Sequence, residues 1–197
     1  MASPQAHAKR CSPSSAHRWL NCTASPTFEE QFPQEEASVY AREGTLAHSI
    51  CELYVARDFN GLPKRSFNAR LKKLQAEELY DDEMLTTAET YAEYLRDKAR
   101  GFAATPFVAS EIRVDLSDYI PECFGTCDCV MIGGDMLHIT DYKHGKGVPV
   151  SAVDNPQMKL YALGALKFYQ VTSKHHMLFF IQCIIIYYNC LFIWVIQ

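Results

Sequence analysis

The chain reads as a mixed α/β domain: a small mixed sheet with an antiparallel hairpin at its core, flanked by helices. Three observations predict this. Residues 107–115 alternate as a strand; two more strands, about 124–132 and 136–143, meet at Gly133-Gly134-Asp135; and helical spacing fills most of the chain before them. With 197 residues, 48% hydrophobic and 21% charged, there is material for one domain with a real core, and the composition is not that of a disordered chain. A formal net charge of −4 excludes a generally basic, nucleic-acid-coating surface, so any nucleic-acid reading must rest on a local site.

Residues 1–16 are rich in Ser, Pro and Ala and are expected to be a frayed, disordered N-terminus. They carry no apolar run of the secretory kind, which points to the cytoplasm and to reduced thiols rather than disulfides among the eight cysteines. Ser14 or Ser15 offers a cap for a short helix through His17-Arg18-Trp19-Leu20-Asn21-Cys22, with Trp19 the first packed aromatic. Glu29 to Glu36, acidic and broken by proline, reads as a surface loop.

The next helix is expected to start at Thr45 as N-cap, bury Leu46, Ile50 and Leu53, and stop before Asn60-Gly61. His48 and Glu52 are neighbours on its surface, so His48 either pairs within its own helix or projects as a metal ligand. Helical patterns follow over Phe67–Leu79 and Asp82–Arg100, the latter stopped by Gly101. Their charges, among them Arg70, Lys72, Lys73, Arg96, Lys98 and Arg100, read as solvated faces. In the first strand Val108, Ile112 and Val114 should share one side and Glu111 the other. Asp154-Asn155-Pro156 caps a final helix on which Gln157 and Tyr161 lie one turn apart.

The chemistry concentrates in the hairpin. Asp141 and Lys143, two apart, share a strand face; with a Gly134-Asp135 loop Asp128 stands directly opposite Asp141, and with a Gly133-Gly134 loop it stands diagonal. Two carboxylates on neighbouring strands suit Mg²⁺ or Mn²⁺, and a lysine beside such an ion can orient water and stabilise phosphorane-like charge. Asp-x-Lys alone also describes an ordinary surface ion pair.

In one order the chain carries Gly44-Thr45-x-x-His48, strand-borne Glu111, Asp128, Asp141-Tyr142-Lys143 and Gln157-x-x-x-Tyr161. Over about Ser14 to Leu166 this resembles the PD-(D/E)XK nuclease superfamily, in its RecB-like branch with the AddB and CRISPR-adaptation nucleases. His17–Cys22, Glu43–His48 and Asp141–Gly147 narrow the resemblance to an uncharacterised phage and prophage family. The resemblance implies a restriction-endonuclease-like fold and a Mg²⁺- or Mn²⁺-dependent deoxyribonuclease acting on ends or single strands. Asp128, Asp141 and Lys143 would be catalytic; His48, Asp128 and Asp141 would hold the metal; Gln157 and Tyr161 would position substrate; Glu111 would be a supporting acid. DNA is the implied partner, alongside phage recombination or replication proteins. A non-catalytic DNA-binding or recombination-accessory protein is the alternative.

Relatives of that branch often hold an iron–sulfur cluster through one early cysteine and three late ones. Cys22 matches the first position as an orphan ligand, but only Cys183 and Cys190 follow the last helix, so the cluster is expected to be lost. Cys127 and Cys129 flank Asp128 and are expected to point together to the opposite face as small buried hydrophobes. The division expected is therefore a nuclease-like domain over 17–170, incomplete at its C-terminal end, and an atypical hydrophobic tail over 171–197. From Met177 to Ile196 that tail has no charge. It reads first as an out-of-frame replacement that leaves a truncated remnant, second as a transmembrane helix, and third as a core strand.

Overall fold

Ser38, not Thr45, opens the central helix. The Ser38 hydroxyl accepts from the Ala41 amide, and helix α3 runs Val39–Phe59. Thr45 is interior to it, its hydroxyl donating to the Ala41 carbonyl one turn back. Because Ser and Thr both cap helices and both tolerate an interior position by such back-bonding, the local pattern had two admissible starts. The end is where Asn60-Gly61 places it, with Gly61 at φ +66°.

This computed structural model describes residues 10–33, 37–134, 136–144, 150–151, 153–170, 180–187 and 190–195. Ahead of α3 stand two short helices, α1 (Ala16–Asn21) and α2 (Ser25–Glu29), and after it α4 (Lys64–Leu74) and α5 (Asp82–Arg100). A three-stranded antiparallel sheet follows: β1 (Phe107–Asp115), β2 (Phe124–Gly133) and β3 (Met136–Tyr142). Helix α6 (Pro156–Gln170) then packs back across all three strands. Two further strands, β4 (Phe180–Tyr187), parallel to β3, and β5 (Cys190–Val195), antiparallel to β4, extend the sheet in the order β1-β2-β3-β4-β5. The fold is the mixed α/β arrangement expected.

Of the supposedly frayed segment 1–16, residues 1–9 lie outside the described residues, but Ser12–Ala16 are packed. Pro13 and Ala16 are buried, and the Trp19 indole donates to the Ser12 carbonyl at 2.9 Å. Ser15 precedes α1 without capping it, its hydroxyl turning back to the Ser12 carbonyl. Tail residues 180–187 and 190–195 are strands, and among the described residues no helix is long and apolar enough to cross a membrane. The β-branched run Ile184-Ile185-Ile186 favours the extended chain that β3 receives as a parallel partner.

Two cores sandwich the sheet. On one face α3 and α5 bury Ile50, Tyr54, Tyr91 and Leu95 against Val108, Cys129 and Met131. On the other, α6 buries Met158, Tyr161 and Ala165 against Val114, Cys127, Val130 and Ile139. Val108 and Val114 therefore face opposite cores, as do Cys127 and Cys129, contrary to strict alternation. The reversal occurs at the level of Glu111, whose left-handed φ of 51° turns β1 over between Ser110 and Ile112.

Candidate functional site

The β2–β3 register decides the hairpin. Gly133 pairs with Met136 and Cys129 with Thr140, so the loop is Gly134-Asp135, with Gly134 at φ +60° and Asp135 outside the described residues. One step further along this register sets Asp128 opposite Asp141. The Tyr142 amide donates to Asp128 Oδ2 at 2.7 Å, fixing the carboxylate from the neighbouring strand.

Helix α3 brings His48 to this carboxylate, Nδ1 lying 3.4 Å from Asp128 Oδ1 and 3.9 Å from Glu111 Oε1. Donor atoms of His48, Glu111 and Asp128 all lie within 4.8 Å of one another. Asp141 is held from the other side. Lys143 Nζ stands 2.6 Å from its Oδ2, and Gln157 Nε2 donates to its Oδ1 at 3.0 Å and to the Tyr161 hydroxyl at 3.1 Å. Asn155 makes this possible: its Oδ1 accepts from the Gln157 and Met158 amides and so begins α6 with Gln157 facing the sheet. A cavity of about 250 Å³ is lined by His48, Glu111, Asp128, Asp141, Lys143, Gln157 and Tyr161 together. The seven residues assigned to the metal and substrate site in the sequence thus border one space, while Cys22 is not among its lining.

A family model described as "Protein of unknown function (DUF2800)" matches residues 7–182. The chain belongs to the DUF2800 family. The DUF2800 match takes in every element that shapes the cavity, from the Pro13–Ser15 turn through α6, and reaches into β4.

Close packing of like charges shapes the electrostatics. Burial alone would lower the His48 imidazole, but Asp128, seconded by Asp141, raises it to about 9. Burial, with Asp128 adding repulsion, pushes Glu111 up to about 8. Burial also raises Asp128, yet His48 and Lys143 outweigh it and leave this carboxyl below its ordinary range. Asp141 goes the other way: burial and the nearby Asp128 charge overcome the Lys143 ammonium. Both His48 and Glu111 are therefore biased toward their protonated forms by the buried carboxylate cluster.

The donor set, one imidazole nitrogen with carboxylate oxygens at short mutual range, fits a hard or borderline divalent cation such as Mn²⁺ or Mg²⁺. Cys22, expected as an orphan iron–sulfur ligand, is an exposed free thiol at the end of α1. Sequence reasoning gave no binding or catalytic role to Ser14, Thr126 or His144, which also line the cavity. His144 follows Lys143 directly, and a histidine beside a proposed catalytic lysine was the available signal.

Proposed function

We propose that the chain is a divalent-metal-dependent deoxyribonuclease of the PD-(D/E)XK type that hydrolyses phosphodiester bonds in DNA, at ends or in single strands. One observation carries the reading: an imidazole, three carboxylates, an ammonium and a Gln–Tyr pair, drawn from α3, β1, β2, β3 and α6, border one cavity. A surface ion pair would not gather partners from five elements, nor would it bury Asp141 to 2% exposure.

His48, Glu111 and Asp128 would hold the ion, with Asp141 adjoining across the hairpin. When bound, the ion would supply Lewis acidity toward a phosphoryl oxygen and would lower the pKa of water. The protein's own groups do the rest. Lys143 places a positive charge where a phosphoryl group gains negative charge, and Asp141 aims that ammonium. Gln157 holds Asp141 in its rotamer and ties Tyr161 to the same network.

The test is hydrolysis of linear single- and double-stranded DNA with Mg²⁺ or Mn²⁺. Cleavage by the wild type and its loss in Asp141→Ala and Lys143→Ala is expected. Activity surviving in both variants would sink the site assignment. DNA binding by the wild type without cleavage would favour the non-catalytic accessory reading.

A further inference from the structure

Cys11 and Cys123 are 112 residues apart in the chain and touch in the fold, the Cys123 thiol donating to the Cys11 carbonyl at 2.8 Å. Two bonds separate that oxygen from the Cys11 Cα, so this Cα lies within about 6 Å of the Cys123 sulfur. A disulfide joins residues whose Cα atoms are about 4.4–6.8 Å apart. Side-chain rotation with a small backbone adjustment therefore brings the two sulfurs to bonding distance. Their closeness is also felt electrostatically: burial first and Cys11 second push the Cys123 thiol up to about 11.

Both backbones are anchored where the contact is made. The Cys123 amide donates to the Ile120 carbonyl and its carbonyl accepts from the Leu116 amide, each at 3.0 Å, closing the turn that leads into β2. Directly after Cys11, the Ser12 carbonyl accepts from the Trp19 indole and from the Ser15 amide. The two thiols differ in access. Cys123 is buried to 1% exposure, whereas Cys11 is only partly covered, so an oxidant in solution meets Cys11 first and Cys123 lies beneath it. The segment that Cys11 begins is also a wall of the cavity. Pro13 is buried against Gly125, where an added Cβ would meet it at 2.8 Å, and Ser14 lines the cavity itself.

We propose that Cys11 and Cys123 form a redox-modification site, at which a peroxide oxidises the pair to a disulfide that clamps the Pro13–Ser15 turn to the start of β2. This stands independently of the nuclease reading. In the first step the Cys11 sulfur attacks one peroxide oxygen and the O–O bond breaks. The sulfur is oxidised by two electrons to a sulfenic acid, and the departing oxygen leaves reduced, as water when the peroxide is hydrogen peroxide, taking the thiol proton. In the second step the Cys123 sulfur attacks the Cys11 sulfur, the S–O bond breaks, and hydroxide leaves as water with the Cys123 proton. A dithiol reductant reverses the result by exchange. The bridge closes a long loop, so it restricts the unfolded chain strongly.

The test treats the reduced full chain with hydrogen peroxide, blocks the remaining thiols by alkylation and maps the tryptic peptides without reduction. The expected product links the peptide that begins at Cys11 to the one that holds Cys123, with fragment spectra assigning the link to Cys123 rather than to Cys127 or Cys129. Oxidation should raise Tm by about 5 °C or more, and dithiothreitol should abolish both the link and the rise. Cys11→Ser should show neither. Cys123→Ser should strand Cys11 as a sulfenic acid that dimedone labels, and Cys22→Ser should behave as the wild type. A peroxide-treated wild type without the 11–123 link, or one that pairs Cys11 with Cys22, overturns the proposal. A link that forms without raising Tm overturns the clamp.

Discussion

His48 Nδ1 and Asp128 Oδ1 face each other at 3.4 Å across the gap between α3 and β2, and this pair sets the charge state of the site. Burial lowers the imidazole and the carboxylate raises it, to about 9 in sum. Asp128→Asn removes the raising partner and leaves burial in command. The His48 pKa should then fall to its ordinary value of 6.5 or below, read by NMR titration. A value still near 9 would mean that Asp128 is not the cause.

The raised groups also tie stability to pH. Glu111 moves from 4.5 to about 8 on folding and His48 from 6.5 to about 9, so in the window between pH 6.5 and 9 the folded chain binds more protons than the unfolded one. With that sign, stability is highest at the acid end of the window and falls as pH rises through it. Metal-free protein should lose Tm steadily from pH 6.5 to 9. If the proposed ion site is right, excess Mn²⁺ would bind the deprotonated ligands, so it should flatten or reverse the trend, and its affinity should climb over the same range. A flat metal-free profile would remove the raised pair from the account.

Glu111 combines two costs, a left-handed φ of 51° and a carboxyl packed near Asp128. Glycine relieves both. Glu111→Gly should stabilise the metal-free fold by about 1 kcal/mol or more in urea titration. The same change should weaken Mn²⁺ binding by calorimetry, because one of the three converging donors is gone. Greater stability with undiminished Mn²⁺ binding would exclude Glu111 from the ion site.

Three glycines separate packing from propensity. A Cβ at Gly164 would meet the Val114 Cβ at 2.8 Å, where α6 crosses β1, and one at Gly125 would meet Pro13 and Tyr161 at 2.8 and 2.9 Å. Gly164→Ala and Gly125→Ala should each destabilise by about 1–3 kcal/mol. Gly44 lies within α3 with nothing within 4 Å of an added Cβ, so Gly44→Ala should stabilise by about 1 kcal/mol. Equal effects at all three positions would contradict this packing.

Wherever the determinants are local, the sequence alone determined the outcome. Asn60-Gly61 ended α3, Asp81 and Gly101 bounded α5, and Asn155-Pro156 opened α6 with Gln157 and Tyr161 one turn apart, because caps and turns depend on only a few neighbouring residues. Two-residue periodicity likewise placed β1, and the Gly-Gly-Asp turn narrowed the hairpin to two registers. Tertiary contacts decided the rest. The choice of the Gly134-Asp135 loop needed the whole β2–β3 ladder.

No periodicity rule foresaw the reversal at Glu111, which sends Val108 and Val114 to opposite cores, since a single positive φ breaks the alternation on which such rules stand. The charge-free tail had the length and hydropathy of a membrane helix; only pairing with β3 selected strand for 180–187. Nor could spacing say that His48 would turn from Glu52 toward Asp128, or that Thr87, 55 residues before Tyr142, would orient its hydroxyl. Distances across the chain are set by the packing of α3, α5 and α6 on one sheet, and residue order carries no direct measure of them.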